Sequence, residues 1–147
     1  MKDGIRDYAS DLKKVKALSN AVLTADATGA TVDAFGYETV AITAIVGASG
    51  DTLSGSVYVE LELEHSDDNS SWADCANADI KTAITGTNTG TFAKIDDAAE
   101  DDAIYSVQYV GGRRYVRIVA NLTGTHTNGI PVAAVAVLSG SRELPVS

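Results

Sequence analysis

Hydrophobic and polar residues alternate along much of the chain with the period of two that is typical of half-buried antiparallel strands. The alternation is clearest in "SVYVELELEH" and "YETVAITAIVG". It predicts that one face of these two strands is buried and is formed by Val57, Val59, Leu61, Leu63, Val40, Ile42, Ala44 and Val46. The opposite face of the first strand, which we expect to point outward, carries Tyr58, Glu60, Glu62 and Glu64.

Two further segments, "AIYSVQYVGG" and "RRYVRIVA", alternate in the same way. Gly111 and Gly112 lie between them, and glycine supplies the positive φ angles that tight hairpins require, so the sequence predicts a hairpin at this point. In the first segment Tyr105, Val107 and Tyr109 are predicted to share one face, and in the second Val116, Ile118 and Ala120 are predicted to point inward. Those predicted to point outward are Arg113, Tyr115 and Arg117.

The segment "HTNGIPVAAVAVL" is apolar on both faces, which predicts a central strand or a strand covered by another subunit. Pro131 should lie at its beginning, because proline cannot donate to a strand ladder. Turn-rich stretches divide the chain into about seven to nine short strands. We therefore expect an all-β fold, an antiparallel two-sheet β-sandwich of jelly-roll-like type, formed by residues 21–147 as a single domain.

The amino-terminal segment has a different period. Ile5, Tyr8, Leu12 and Val15 recur at spacings of three and four residues, which places them on one face of a helix. We therefore expect residues 1–20 to form a helical arm that precedes the sandwich. A helix of this length is marginal on its own, so it should pack on its own domain or on a neighbouring subunit.

The charge distribution limits the class of partner. The 147 residues carry a formal net charge of −9, and 17 of the 20 acidic residues follow residue 16. An acidic body of this kind repels phosphate backbones, so we expect no nucleic-acid partner. No apolar run is long enough to cross a bilayer, so we expect no membrane partner. The single cysteine and two histidines, Cys75, His65 and His126, are too few for a zinc site.

Three arginines stand out in the strand that follows Gly112. If this strand is a neighbour of the glutamate-bearing strand, Arg113 and Arg117 can form cross-strand ion pairs with Glu60, Glu62 or Glu64. Exposed pairs contribute little stability, so their main effect would be on strand register or partner choice. No glycine-rich loop leads into a helix, which disfavours a phosphate site. The sequence therefore predicts a structural or interface role for these arginines.

The remaining polar clusters predict turns. "DDAAEDD" at 96–102 lacks the spacing and closing glutamate of a calcium loop, so we expect a solvated acidic turn. "EHSDDNSSW" predicts a side-chain-capped turn followed by Trp72, which we expect to pack under the next strand. Neither histidine lies in a triad-like context. We therefore predict no catalytic, cofactor-binding or metal-ligating residue, and expect that the protein is not an enzyme.

Two stretches carry a resemblance to a known family. "SGSVYVELELEHSDDNSSWADC" and "YSVQYVGGRRYVRIVANLTGTHTNGIPVAAVAVLSGSRELPV" resemble small virion proteins of tailed bacteriophages and prophages, over most of residues 20–146. The shared motifs are "HSDD" before an aromatic residue, "YVG" followed by "RRYVR", and "TGTHTNG" before a proline. These motifs are structural signatures and carry no chemistry.

The resemblance implies a capsid decoration or head-associated protein. Its partner would be the major capsid protein, its own assembly a homotrimer, and its location the phage head after synthesis in the host bacterial cytoplasm. No cofactor is implied. The residues expected to make contacts with other subunits are Ile5, Tyr8, Leu12, Val15, Arg113, Tyr115 and Arg117.

Two alternatives stay open on sequence alone. Trp72 and the neighbouring turn residues Asp67, Asp68 and Asn69 could instead form a sugar-stacking site in a carbohydrate-binding sandwich that attaches particles to a host surface. A head-to-tail connector or a tail component would also be a β-rich oligomer, and the sequence does not distinguish it from a shell protein.

Overall fold

The computed structural model describes residues 8–142, except for the side chain of Tyr8. Strands dominate this part of the chain, and none of its helices is long and apolar enough to cross a membrane. A 3-10 helix at Asn77–Asp79 precedes β7. In chain order the other elements are α1 (Tyr8–Asp11), β1 (Lys13–Leu23), β2 (Ala27–Thr28), β3 (Val32–Asp33), β4 (Thr39–Val46), β5 (Tyr58–Ser66), β6 (Ala73–Asp74), β7 (Ile80–Lys81), β8 (Thr91–Ile95), β9 (Ala103–Tyr109), β10 (Tyr115–Thr123) and β11 (Ile130–Ser139).

The strands form two antiparallel sheets. The first sheet has five strands in the order β1-β11-β4-β9-β7. The second has six strands, with β10 and β5 paired at its centre; β2 and β3 both pair with β10, and β6 and β8 both pair with β5. The predicted all-β, two-sheet sandwich is therefore confirmed.

The inward faces of both sheets form one hydrophobic core. Except for Val57, which precedes β5 and is partly buried, the predicted inward residues of β4, β5 and β10 are buried. Tyr105, Val107 and Tyr109 share one face of β9 as predicted; Tyr105 is partly buried and the other two are buried. The fully buried large side chains include Ile42, Leu61, Leu63 and Ile118, and burial of each contributes about 1.5 to 3 kcal/mol.

Strand β11 is the central strand that its apolar sequence predicts. It lies between β1 and β4, and Pro131 pairs with Val22 near its beginning. Its inward residues are buried, and its opposite face remains partly accessible. The alternative, a strand covered by another subunit, applies only to that second face.

The predicted helical arm is wrong over residues 13–20. This segment belongs to β1, which pairs with β11, so the expected boundary at residue 20 falls inside a strand. Helix α1 has only four residues. Exposed Lys14 and Lys16 alternate with the more buried Val15 and Ala17, which is a strand pattern. The strand is also stabilised by hydrogen bonds to β11, whereas a short helix would be marginal on its own. The portion before Tyr8 lies outside the described residues.

The predicted hairpin at Gly111 and Gly112 is also wrong. Strand β9 lies in the five-stranded sheet and β10 in the six-stranded sheet, so the segment between them crosses the sandwich. Neither glycine has a positive φ. A Cβ atom on Gly111 would lie 2.5 Å from the hydroxyl oxygen of Tyr109, so the glycine leaves room for that ring.

Tyr109 and His65 join the two sheets at this crossing. The Tyr109 hydroxyl lies 2.9 Å from Nδ1 of His65 and accepts a hydrogen bond of 3.0 Å from the backbone N–H of Arg113. Burial raises the pKa of Tyr109 to about 12 and lowers the pKa of His65, which Arg113 lowers further. The hydroxyl and the imidazole therefore share a hydrogen bond whose donor is set by the tautomer of His65.

We predict that Tyr109→Phe destabilises the protein by about 1 to 2 kcal/mol, because His65 Nδ1 and the Arg113 N–H both lose a buried partner. Urea unfolding at pH 7 measures the change. Tyr115→Phe is the matched control and should change stability by less than about 0.5 kcal/mol, because that side chain is half-exposed. Equal losses in the two variants would contradict the role of the hydroxyl.

Candidate interaction surfaces

The predicted cross-strand ion pair between β5 and β10 is confirmed for Arg117, whereas Arg113 precedes β10 and contacts Asp67 in place of a β5 glutamate. Arg117 lies directly opposite Glu64 in the strand register. Its Nε and Nη2 atoms are 2.6 and 2.5 Å from the same carboxylate oxygen, Oε2 of Glu64. The two side chains are only 23% and 18% exposed. Partial burial of this kind makes the pair stronger than a fully exposed one.

Trp72 completes this contact. Its ring lies 4.1 Å from the guanidinium carbon of Arg117, in a cation–π arrangement. Trp72 is half-buried and lies against Arg117, outside the hydrophobic core, so the expected packing under the next strand is corrected. The planar guanidinium thus contacts a carboxylate with its edge and an indole with its face.

The turn before Trp72 is capped as the sequence predicts. Asp68 accepts hydrogen bonds from the backbone N–H groups of Ser70 and Ser71 and from the hydroxyls of Ser66 and Ser71. These bonds hold the pKa of Asp68 far below its usual range. Asp68 is therefore occupied in fixing the turn that positions Trp72.

Arg113 and Arg114 also have acidic partners. Arg114 donates to both carboxylate oxygens of Asp33, at 2.9 and 2.7 Å, and its guanidinium lies over Phe35 at 4.7 Å. The Nε atom of Arg113 is 3.6 Å from Asp67. Their side chains are 39% and 45% exposed, so both retain accessible donor surface. A contact between these arginines and another subunit stays a prediction.

The outward face of β5 differs from the expectation in one respect: Glu60 and Glu62 are buried. The segment 82–90 passes over them, and the backbone N–H of Thr87 donates to Glu60 at 3.0 Å. Burial raises the pKa of Glu62; hydrogen bonding from Asn121 and Asn88 opposes this shift, and neighbouring carboxylates add to it. Alternation along β5 alone gave no signal of this covering segment.

The outward face of the five-stranded sheet carries an exposed apolar surface. Ile45 and Ile104 are cross-strand partners, and Ala133 on β11 is the next residue in the same row. Val135 and Val22 lie on the same face. Exposure is 67% for Ile104, 56% for Ile45, 59% for Val22 and 36% for Val135, so this surface is open to solvent. We call these five residues the apolar face.

The amino-terminal residues predicted to contact other subunits do not all lie on one helix. Val15 packs against the core, and Leu12 is half-buried between α1 and β1. Tyr8 lies in α1, but its side chain, like all of Ile5, is outside the described residues. The helical spacing predicted one shared face for these residues, but Leu12 precedes β1 and Val15 lies within it. On the other strand, Tyr115 is half-buried on the outward face of β10.

Two other candidates have structural roles. The acidic turn at 96–102 is held by its own side chains: Glu100 accepts from the backbone N–H of Asp96, and Asp101 accepts from that of Ser49. The thiol of Cys75 is buried, which raises its pKa to about 12 and makes it a weak nucleophile.

Comparison with known proteins gives limited results. No family model and no curated protein matches the chain. Among solved structures, the SPBc2 prophage-derived protein YomS is similar with a TM-score of 0.47 and 14% identity, over 87% of this chain and 92% of that one. The infectious bursal disease virus VP2 subviral particle gives a TM-score of 0.28 and 10% identity, over 87% of this chain and 41% of that one. Neither similarity is close enough to assign a fold family or a function.

We predict that Arg117 and Glu64 are energetically coupled by about 0.5 to 1 kcal/mol. A double-mutant cycle with Arg117→Ala and Glu64→Ala, followed by urea unfolding, measures this coupling. The same cycle on Arg114 and Asp33 is the control and should give a smaller coupling, because that pair is more exposed. A coupling near zero for Arg117 and Glu64 would show that their contact adds no stability.

Proposed function

We propose that this protein is a structural virion protein of a tailed bacteriophage, which binds the outer surface of the capsid as a homotrimer. The observation that carries the self-association is the apolar face formed by Val22, Ile45, Ile104, Ala133 and Val135. The motif resemblance supplies the viral context. The protein acts in this proposal by holding other protein subunits, without catalysis.

The apolar face supports self-association by its composition. Its centre lies on three hydrogen-bonded strands, β11, β4 and β9, and the residues between the large apolar ones are small or uncharged. The outward residues that fill these positions are Ala41, Thr43, Ser106, Gln108 and Val137. An exposed apolar surface with few charges at its centre resembles the cores of subunit interfaces.

The two sheets differ in charge in a way that suits an array of copies. The apolar face is bordered by Lys14 and Lys16 on β1, whereas on the outward side of the six-stranded sheet Glu60 and Glu62 are buried and Glu64 pairs with Arg117. Self-association through the first sheet would leave the six-stranded sheet outside, and the formal net charge of −9 per chain would keep crowded particles apart by mutual repulsion. Copies on a shell follow its symmetry, which makes a trimer at three-fold positions the natural assembly.

We expect the capsid protein to contact the segment that precedes β10. Arg113 and Arg114 are the half-exposed cations of this region, and each is already oriented by an aspartate. Oriented arginines lose little further entropy when they bind a carboxylate on a partner. We therefore expect these two residues to influence the rate and salt dependence of capsid binding.

The carbohydrate-binding alternative is disfavoured by the position of Arg117. A sugar would need to stack on Trp72, and the guanidinium of Arg117 already covers one ring face at 4.1 Å. Asp68, the polar neighbour expected to bind hydroxyls, is used within its own turn. These contacts occupy one face of the indole and one carboxylate of the turn, and the second carboxylate, Asp67, lies 3.6 Å from Nε of Arg113.

We predict that the purified protein has about three times the 15.2 kDa mass of one chain, and that Ile104→Asp converts it to a monomer. A charge placed at the centre of an apolar interface is desolvated without a partner, which strongly opposes assembly. Light scattering after size-exclusion chromatography measures the mass. Phe35→Asp is the matched control, because Phe35 is 69% exposed and Ile104 is 67% exposed.

A monomeric wild-type protein, or a Phe35→Asp variant that dissociates as fully as Ile104→Asp, would contradict assembly through the apolar face. Capsid binding is a separate measurement. Purified protein should cosediment with phage heads that lack it and raise their melting temperature. Binding to isolated tails or connectors instead of heads would place the protein in the tail, and binding to neither would remove the virion role.

A further inference from the structure

Three carboxylates lie together on the outward side of the six-stranded sheet. Glu62 and Glu64 are two residues apart on β5, and Asp74 on β6 is the direct cross-strand partner of Glu64. Each offers one oxygen atom, and these three oxygens lie within 4.8 Å of one another. Like charges placed directly opposite in a sheet are destabilising, so this arrangement calls for a compensating positive charge.

The surroundings of Glu62 show that the negative charge of the three carboxylates is not fully compensated. Its residue is 2% exposed, and its Oε2 atom has no hydrogen-bond partner among residues 8–142. An unpaired buried carboxylate oxygen is unusual, because its lost hydration is replaced by nothing. Asn121 and Asn88 hydrogen-bond to the Glu62 carboxylate, so the unpaired atom is Oε2 alone, and the same carboxylate belongs to the three-residue cluster.

Arg117 supplies only part of the required charge. Both of its contacts are made to Oε2 of Glu64, which leaves the other oxygen of Glu64 outside the ion pair. When all three carboxylates are ionised, they and one guanidinium leave a formal charge of two negative units. A divalent cation would balance that charge.

We propose that Glu62, Glu64 and Asp74 form a calcium-binding site. The donors are all carboxylate oxygens, which hard cations prefer, and no histidine or cysteine belongs to the cluster. Calcium–oxygen distances of about 2.3 to 2.6 Å allow two ligands of one ion to be up to about 5 Å apart. Magnesium, at about 2.0 to 2.1 Å, would require the ligands to approach within about 4.2 Å.

The surroundings suit an ion that keeps some of its water. Glu62 is enclosed beneath the segment 82–90, whereas Glu64 is half-buried and Asp74 is exposed. Calcium takes six to eight oxygen ligands, so water would complete the shell from the side of Asp74. With three protein carboxylates and a neighbouring guanidinium, we expect weak binding, with a dissociation constant of about 10⁻⁴ to 10⁻³ M.

The test is a titration of the chelator-treated full chain with calcium chloride alone. Isothermal titration calorimetry should show one saturable site. Terbium, a luminescent substitute for calcium, should be sensitised by Trp72, which is the chain's single tryptophan and contacts Arg117 beside the cluster. Calcium at about ten times the dissociation constant should raise the melting temperature by about 3 to 6 °C.

Three variants locate the site. Asp74→Asn changes an exposed side chain and should weaken binding at least tenfold without unfolding the protein. Glu62→Gln keeps the shape of the buried side chain and should abolish the response. Asp102→Asn removes a carboxylate from the acidic turn at 96–102, where asparagine also tolerates the φ of 48°, and should leave calcium affinity unchanged.

The proposal is overturned if calcium produces neither heat, luminescence nor a melting shift, or if affinity is unchanged in both Asp74→Asn and Glu62→Gln. Loss of binding in Asp102→Asn alone would move the site to the acidic turn and also overturn the assignment. Magnesium binding as tight as calcium binding would contradict the choice of ion. These measurements do not depend on capsid binding or oligomeric state.

Discussion

The pairing of β5 with β10 is the constraint on which the rest of the structure depends. The two strands match over nine consecutive residue pairs, from Tyr115 opposite Ser66 to Thr123 opposite Tyr58. A shift of one residue would turn Leu61 and Leu63 outward and bring glutamates into the core. The register is therefore fixed by burial, and it places Arg117 opposite Glu64.

Local alternation accounts for the part of the fold that the sequence predicts. It identifies the buried faces of β4, β5 and β10 and the residues that share a face of β9, because each residue's face depends only on its position within one strand. Alternation does not predict the structure where contacts between distant parts of the sequence determine it. Val15 fits both a helical and a strand pattern, and pairing with β11 selects the strand. Gly111 suits a hairpin and a sheet crossing equally, and the partner strands select the crossing.

The same distinction applies to the candidate surfaces. The Arg117–Glu64 pair follows from two outward-facing patterns once β5 and β10 are neighbours. Burial of Glu62 cannot be read from β5, because it arises from a segment about twenty residues later in the chain. The apolar face was equally hidden: Ile45 and Ile104 occupy outward positions on separate strands and form one surface only through their cross-strand register.

Packing alone does not require a carboxylate at position 62. Val119, the cross-strand partner of Glu62 on β10, is an apolar residue with 7% exposure on the same face. An apolar residue at position 62 would therefore fill the space beneath the segment 82–90 without an unpaired carboxylate oxygen. The β-sheet needs only volume at this point. Asn121 and Asn88 hydrogen-bond to the Glu62 carboxylate, and the proposed cation shared with Glu64 and Asp74 would use the oxygen that they leave unpaired.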